Sequence, residues 1–257
     1  LRKEHFALAV KEVLSLPATK IEDRFHLEKG AGATLECFGY ATKNMLGYAF
    51  IYTNKDSLSV GLGAMLADFL KTRIPPYELL EDFKQHPAIR PLLSDGKPLE
   101  YMAHLIPEAG FRALPKLYRQ GLMVCGDAAM FTNAVHREGS NFALISGIFA
   151  GETALLAHQR KDYSEKTLVE YEKKVRNSFI YADLKKYRNL TPAIEKKRSD
   201  FLEFYPGWLA FAAREILTVD GIPKKEKEKK IWQALKKQKT LPAVLADLYT
   251  LYKGVEG

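Results

Sequence analysis

The sequence predicts a mixed α/β (α+β) fold, and three observations carry that expectation. Residues 33–65 alternate apolar and polar positions in short runs separated by polar turns, the signature of an antiparallel meander. Further on, the apolar run Leu122-Met123-Val124-Cys125 breaks into Gly126-Asp127-Ala128-Ala129 and reaches a helix start at Gly139-Ser140-Asn141, a strand–turn–loop–helix sequence suited to holding a ligand. From Lys161 onward, apolar residues recur at helical spacing. Three regions are therefore expected: 1–117 with the antiparallel sheet, 118–160 with the ligand-holding layer, and a helical 161–257.

Composition bounds the answer. A chain of 257 residues with 47% hydrophobic content can form one large domain or two modest ones around a substantial core. No run approaches the roughly eighteen apolar residues of a membrane span. Leu1-Arg2-Lys3-Glu4-His5 has no initiator Met and leads into no signal-peptide core, so the chain reads as a piece of something longer. The two cysteines, Cys37 and Cys125, lie in apolar surroundings and are expected as reduced core residues of a cytoplasmic protein. An iron–sulfur cluster of the usual type needs about four cysteines, so neither a cluster nor another metal site is expected on this chain. The net charge of +8 is concentrated in Lys224 to Lys239, with eight lysines and two glutamates. Such local basicity, without aromatic-interleaved basic surface or a recognisable motif, argues against nucleic acid.

Taken in order, Phe6, Val10, Val13 and Leu14 fall at helical spacing, which predicts a helix from His5 to Leu16 ended by Pro17. Gly30-Ala31-Gly32 and Gly61-Leu62-Gly63 each begin a Gly-x-Gly pattern, but Leu35 and Leu66 occupy the sixth positions, so both read as strand-edge turns. Strands are expected at Ala33–Phe38, Leu46–Thr53 and Ser57–Met65. Tyr48, Phe50 and Tyr52 share one side of the second, where an aromatic stripe reads as sheet core. Pro75-Pro76-Tyr77 opens a helix to about Gln85, His86 to Leu93 forms a punctuated connector, and Leu99 to Ile106 is a strand running to Pro107.

Leu122–Cys125, bounded by Gly121 and Gly126, is expected as a buried parallel strand. Gly126 lets the backbone approach a ligand closely, Asp127 at the strand end can accept hydrogen bonds from sugar hydroxyls, and the Gly139-Ser140-Asn141 helix start offers free N–H groups and a positive dipole end. Ala143, Gly147 and Gly151, with Ala150 and Ala154 beside them, leave one helix face nearly bare, while Leu144, Ile148 and Leu155 fill another. Tight packing alone also accounts for such a stripe.

The longer pattern is more specific. Gly121 to Ala129 followed by His136-Arg137-Glu138-Gly139-Ser140-Asn141 resembles the second flavin-binding motif of the electron-transfer-flavoprotein:quinone oxidoreductase family, nearest its FixC-type members, with geranylgeranyl reductases as more distant relatives. The resemblance implies a partial FAD-binding Rossmann-like layer, with Gly126, Asp127 and Ala128 at the ribityl chain and Gly139, Ser140 and Asn141 facing the flavin. Gly47 to Tyr52 and Val60 to Gly63 resemble the family's substrate domain, which implies that Tyr48 and Phe50 wall a quinone or other planar apolar substrate. Pro107 to Leu117 resembles the loop before the final strand, although Ala109 stands where many members have glycine. Among His104, Arg112 and the pair His136-Arg137, Arg can stabilise an anionic flavin or quinol oxygen and His can deliver a proton. His104 and Arg112 are assigned to substrate, and His136, within the ligand-facing loop, is the catalytic choice. The family's N-terminal Gly-x-Gly-x-x-Gly unit, which cradles the FAD pyrophosphate, is missing from this sequence.

Asp162 and Glu165 predict a capping-box-like helix start, followed by an apolar stripe of Leu168, Tyr171, Val175, Phe179 and Ala182. Phe201 to Leu217 is aromatic-rich and expected mainly as core, with peripheral membrane contact as the alternative. The helix after Gly221-Ile222-Pro223 is expected to bury Ile231, Trp232 and Leu235. Its lysines suit a solvated face, an acidic redox partner or anionic lipid. The implied reaction is passage of electrons from a reduced electron-transfer flavoprotein through FAD towards a quinone or a separate small ferredoxin. The alternatives are a flavin-dependent isoprenoid reductase and an incomplete, non-catalytic interaction module.

Overall fold

The computed structural model describes residues 2–256, which form two compact units, one of residues 2–106 with 202–206 and the other of residues 107–201 with 207 onward. In the first, strands β1 (Phe6–Ser15), β2 (Thr34–Phe38), β3 (Gly47–Thr53), β4 (Ser57–Met65) and β5 (Lys97–Pro107) make one sheet in the order β2-β3-β4-β1-β5. The expected meander is present, with β2, β3 and β4 pairing antiparallel through Phe38↔Tyr48 and Ile51↔Val60. Helices α1 (Ala18–Phe25), α2 (Leu66–Thr72), α3 (Pro76–Gln85) and α4 (Arg90–Leu93) complete the unit. Leu58, Val60, Leu62 and Ala64, spaced by two, bury against Ile21, Phe69, Leu79, Leu80 and Phe83 of those helices.

The segment expected as the first helix is instead β1, inside the sheet between β4 and β5. Val10 and Leu14 are four apart, a spacing that fits a helix face and equally a strand face. Nine paired positions with β4, from Ala7↔Met65 to Ser15↔Ser57, decide for the strand, so tertiary pairing overrides the local pattern.

The second unit begins with a hairpin of two-residue strands, β6 (Tyr118–Arg119) and β7 (Leu122–Met123), pairing antiparallel. Leu122–Cys125 is therefore not a buried parallel strand: Leu122 and Cys125 are exposed, and no strand pairs parallel to it among the described residues. Exposure also corrects the core assignment of Cys125, whereas Cys37 packs beside the sheet core, where burial raises its thiol pKa. Helices α5 (Ser140–Arg160), α6 (Glu165–Arg176) and α7 (Phe179–Lys186) follow. Phe142, Tyr171, Val175, Ile180 and Leu184 form a core with Leu117, Ala129 and Phe131. Phe179 is exposed because the helix breaks at Asn177-Ser178, which turns Ile180 inward in its place. Asp162 accepts from Ser164 N (3.0 Å) and Thr167 Oγ1 (2.6 Å) at the start of α6.

Helices α8 (Leu190–Lys196), α9 (Tyr205–Leu217), α10 (Lys224–Gln238) and α11 (Leu241–Glu256) complete the chain. No side chain of α9 is fully buried, so its aromatic run is not ordinary core; Trp208 donates its indole N–H to the Ile231 carbonyl at 3.2 Å. Ile231 and Leu235 of α10 are buried as expected, but Trp232 is exposed. Lysines of α10 are partly engaged within the chain: buried Lys227 pairs with Asp220 at 2.6 Å, and Lys230 pairs with Glu215.

Candidate functional site

Three contacts shape the chain where β7 runs out. The buried Tyr171 hydroxyl donates to the Val124 carbonyl at 2.8 Å, and Gly126 N–H donates to Ser146 Oγ at 3.0 Å. Ser146 Oγ in turn donates to the Ala143 carbonyl at 3.1 Å, tying the turn to the first coils of α5. Burial keeps the Tyr171 phenol protonated well above its ordinary range, as a donor to that carbonyl must be. Gly126 has φ +60°, and a Cβ there would lie 3.2 Å from Ala143 Cβ. Only glycine combines that left-handed backbone with so close an approach to α5.

Gly126–Ala129 forms a 3-10 turn with Asp127 exposed on it. A Cβ built on Gly139 would stand 3.7 Å from Asp127 Oδ1, so the carboxylate and the start of α5 face one another. Gly139 has no side chain to cap that helix start; Asn141 Oδ1 accepts from Phe142 N at 2.9 Å, and the Ser140 and Asn141 N–H groups are left for a ligand. Gly126, Asp127, Gly139, Ser140 and Asn141 are thus gathered at one place, and Ala128 lies exposed on the same turn. The loop between is closed by paired backbone hydrogen bonds of Asn133 and Glu138, and Asn133 Oδ1 accepts from Val135 N and His136 N. His136 is exposed on that loop, with its ring edge-on to Tyr187 at 4.8 Å between centroids. Arg112 lies in the turn Gly110–Ala113, exposed, donating to Asn189 Oδ1 at 2.6 Å.

Sequence reasoning missed the groups behind the turn. Ser146 and Tyr171 look like ordinary helix residues, and only their partners reveal their role. Glu108, between Pro107 and Ala109, is passed over in favour of Arg112. Its Oε2 is sealed from solvent without a hydrogen-bond partner, and burial, followed by the charge of Asp127, raises its carboxyl to about 7. Thr132 Oγ1 and Asn133 Nδ2 are also buried without partners. Unsatisfied buried polar atoms are rare in a finished interior, and Thr132 and Asn133 follow the Gly126–Ala129 turn closely in sequence.

Tyr48 and Phe50 belong to the first unit. Rings of Phe38, Tyr48, Phe50 and Tyr52 run in a row at 5.8, 6.1 and 4.5 Å between centroids, the last pair stacked. They lie on the sheet face away from Ala49 and Ile51 and are half-buried apart from exposed Phe38. Phe50 packs over Gly61, where a Cβ would come within 2.4 Å of its ring. Bare β4 glycines therefore seat the aromatic row. His104 is exposed on β5 of the same unit.

The small-residue face of α5 is the other departure from expectation. Among the described residues nothing lies within 4 Å of a Cβ built on Gly147 or Gly151, and Leu144, Ile148 and Leu155 are exposed as well. The helix buries only the side bearing Phe142, Ser146, Thr153 and Ala157. It is long and apolar enough, by length and composition, to cross a membrane, which the sequence reading did not register.

Residues 6–106 match the domain family described as ETF-QO, ubiquinone-binding, and residues 191–256 match the ETF-QO/FixC family C-terminal domain. The chain belongs to the ETF-QO/FixC family. It is 42% identical over 247 residues to Protein FixC of Bradyrhizobium diazoefficiens, covering 96% of this chain and 57% of that protein. A probable electron transfer flavoprotein-quinone oxidoreductase of Escherichia coli K12 is 37% identical over 235 residues, covering 91% of this chain and 54% of that protein. This ETF-QO/FixC chain thus spans little more than half the length of these curated relatives. In fold it is similar to a geranylgeranyl bacteriochlorophyll reductase-like protein from Thermoplasma acidophilum, with TM-score 0.61 and 18% identity over 98% of this chain and 56% of that one.

Proposed function

We propose that the chain forms part of an FAD-dependent oxidoreductase that takes electrons from a reduced electron-transfer flavoprotein and passes them towards a quinone. The observation that carries this reading is the exposed Asp127 carboxylate on the Gly126–Ala129 turn, facing the Gly139 start of α5 and its Ser140 and Asn141 N–H groups. A carboxylate and a set of open N–H groups facing each other suit a ligand that has both hydroxyl donors and an electron-rich ring edge. The ribityl chain and isoalloxazine of FAD combine these. Asp127 would hold the sugar alcohol, with Gly126 and Ala128 leaving room, and Gly139, Ser140 and Asn141 would face the ring. When bound, FAD supplies the two-electron carrier; the protein residues position it and set its electrostatic surroundings.

The described residues offer no Gly-x-Gly-x-x-Gly loop for the pyrophosphate, and the open side of α5 has the bareness that close packing requires. We assign that side to contact with sequence of the kind that makes up the relatives' additional length. The quinone end is assigned to the first unit, with Tyr48 and Phe50 as wall and His104 at its β5 edge. His136 remains the proposed proton donor and Arg112 the proposed anion-stabilising group. With two cysteines on the chain, a cluster-bearing acceptor would be a separate small ferredoxin, and exposed lysines of α10 are a docking surface for an acidic partner at the cytoplasmic face of a membrane.

An absorbance spectrum of the full-length natural protein, followed by anaerobic titration with reduced electron-transfer flavoprotein and a soluble quinone, tests the reading. A flavin spectrum bleached by the donor and restored by the quinone is expected. A colourless protein, or a flavin the donor leaves oxidised, contradicts it.

A further inference from the structure

Glu108 follows buried Pro107 and is itself half-buried, with its Oε2 sealed from solvent and without a hydrogen-bond partner among the described residues. A carboxylate in that position is costly to charge, so the group exchanges its proton in response to nearby charge rather than remaining ionised. The charged group that acts on it is Asp127, on the Gly126–Ala129 turn. The other unpartnered groups after that turn, Thr132 and Asn133, are neutral and compensate no charge.

We propose that Glu108 is the proton-exchanging acid of the Asp127 site, taking up one proton from solvent when negative charge is placed beside Asp127 and releasing it when that charge leaves. The inference rests on the flavin reading of Gly126–Asn141. Two electrons arriving from the reduced flavoprotein add negative charge at the site. The Glu108 carboxylate binds one H⁺ and becomes a neutral carboxylic acid, which offsets part of that charge. When the electrons pass to the quinone, the O–H bond of Glu108 breaks and its proton returns to solvent or to the quinone being reduced. No bond between Glu108 and the flavin is required, so Glu108 acts through the field of the site. Because burial and then the Asp127 charge raise its carboxyl to about 7 in the chain itself, the uptake is expected in the neutral range.

The test is redox-induced infrared difference spectroscopy on the full-length flavin-loaded protein at pH 7 to 8, comparing wild type with Glu108→Gln and Glu108→Asp. Reduction of the wild type is expected to produce a new protonated-carboxyl carbonyl band above amide I. The band should be lost in Glu108→Gln, which retains flavin, and shifted in Glu108→Asp. A wild-type band that survives Glu108→Gln, or no band at all, overturns the inference while leaving the flavin reading intact. Absence of flavin from the wild type overturns both. If neither variant folds, proton uptake per electron pair in the wild type, followed with an indicator dye, decides. A step of up to one proton centred near pH 7 supports the inference, and uptake flat from pH 6 to 8 overturns it.

Discussion

Glycines in β4 and glycines in α5 look alike in sequence and occupy opposite environments. Cβ atoms on Gly61 and Gly63 would meet a neighbouring strand or the Phe50 ring within 3.1 Å, whereas Gly147 and Gly151 of α5 have nothing within 4 Å among the described residues. The β4 glycines are bare because the sheet has already filled the space above them. Those of α5 are bare with the space still open, beside exposed Leu144, Ile148 and Leu155. The difference separates packing from provision for a ligand or a covering segment, which the Gly-x-x-x-Gly spacing alone does not do.

Substitutions can break this contrast. Gly61→Ala places a methyl 2.4 Å from the Phe50 ring and 2.6 Å from the Val10 carbonyl oxygen; with backbone on one side, it should cost about 3 kcal/mol, read as a lower urea midpoint. Glu108 should give the next largest effect, through pH. Its carboxyl rises from 4.5 to about 7 in the fold, so between those values the folded state binds more protons than the unfolded chain. Stability should therefore be fullest below pH 4.5, fall by roughly 2–3 kcal/mol as pH climbs to 7, and level off above. Denaturant melts across pH 4 to 8 should show this component in the wild type and lose it in Glu108→Gln.

Gly126→Ala adds a left-handed alanine and presses on Ala143, for about 1–2 kcal/mol, visible in the same melts. Tyr171→Phe leaves the Val124 carbonyl without its donor and should cost about 1 kcal/mol. It should also speed amide exchange at Gly126. Gly147→Ala, in open space on a helix, should stabilise the chain by about 0.5–1 kcal/mol through helix propensity. A loss instead would mean that this face is already packed.

Much of the first unit was legible because strand alternation is a local signal: Ser57 to Met65 was bounded to the residue, and α3 begins at Pro76 and ends at Gln85 as its prolines and spacing suggested. The helix expected at His5–Leu16 failed because Val10 and Leu14 satisfy both periods, and pairing with β4, distant in sequence, chose between them. At the candidate site, Gly126, Asp127 and the Gly139 helix start carry their chemistry in their identity and could be read directly. Glu108, Ser146 and Tyr171 could not, since each matters only through a partner or an absence of one 19 to 47 residues away. The short, exposed β7 was misread as a buried strand because an apolar run records a preference for burial without naming what covers it.

Whether Asp127 grips a flavin is read from the flavin affinity of the full-length protein with and without that carboxylate. Asp127→Ala should retain its fold by circular dichroism and bind FAD roughly 10- to 100-fold more weakly, the loss of a hydrogen bond to a charged acceptor. Unchanged FAD affinity in a folded Asp127→Ala protein would contradict the account.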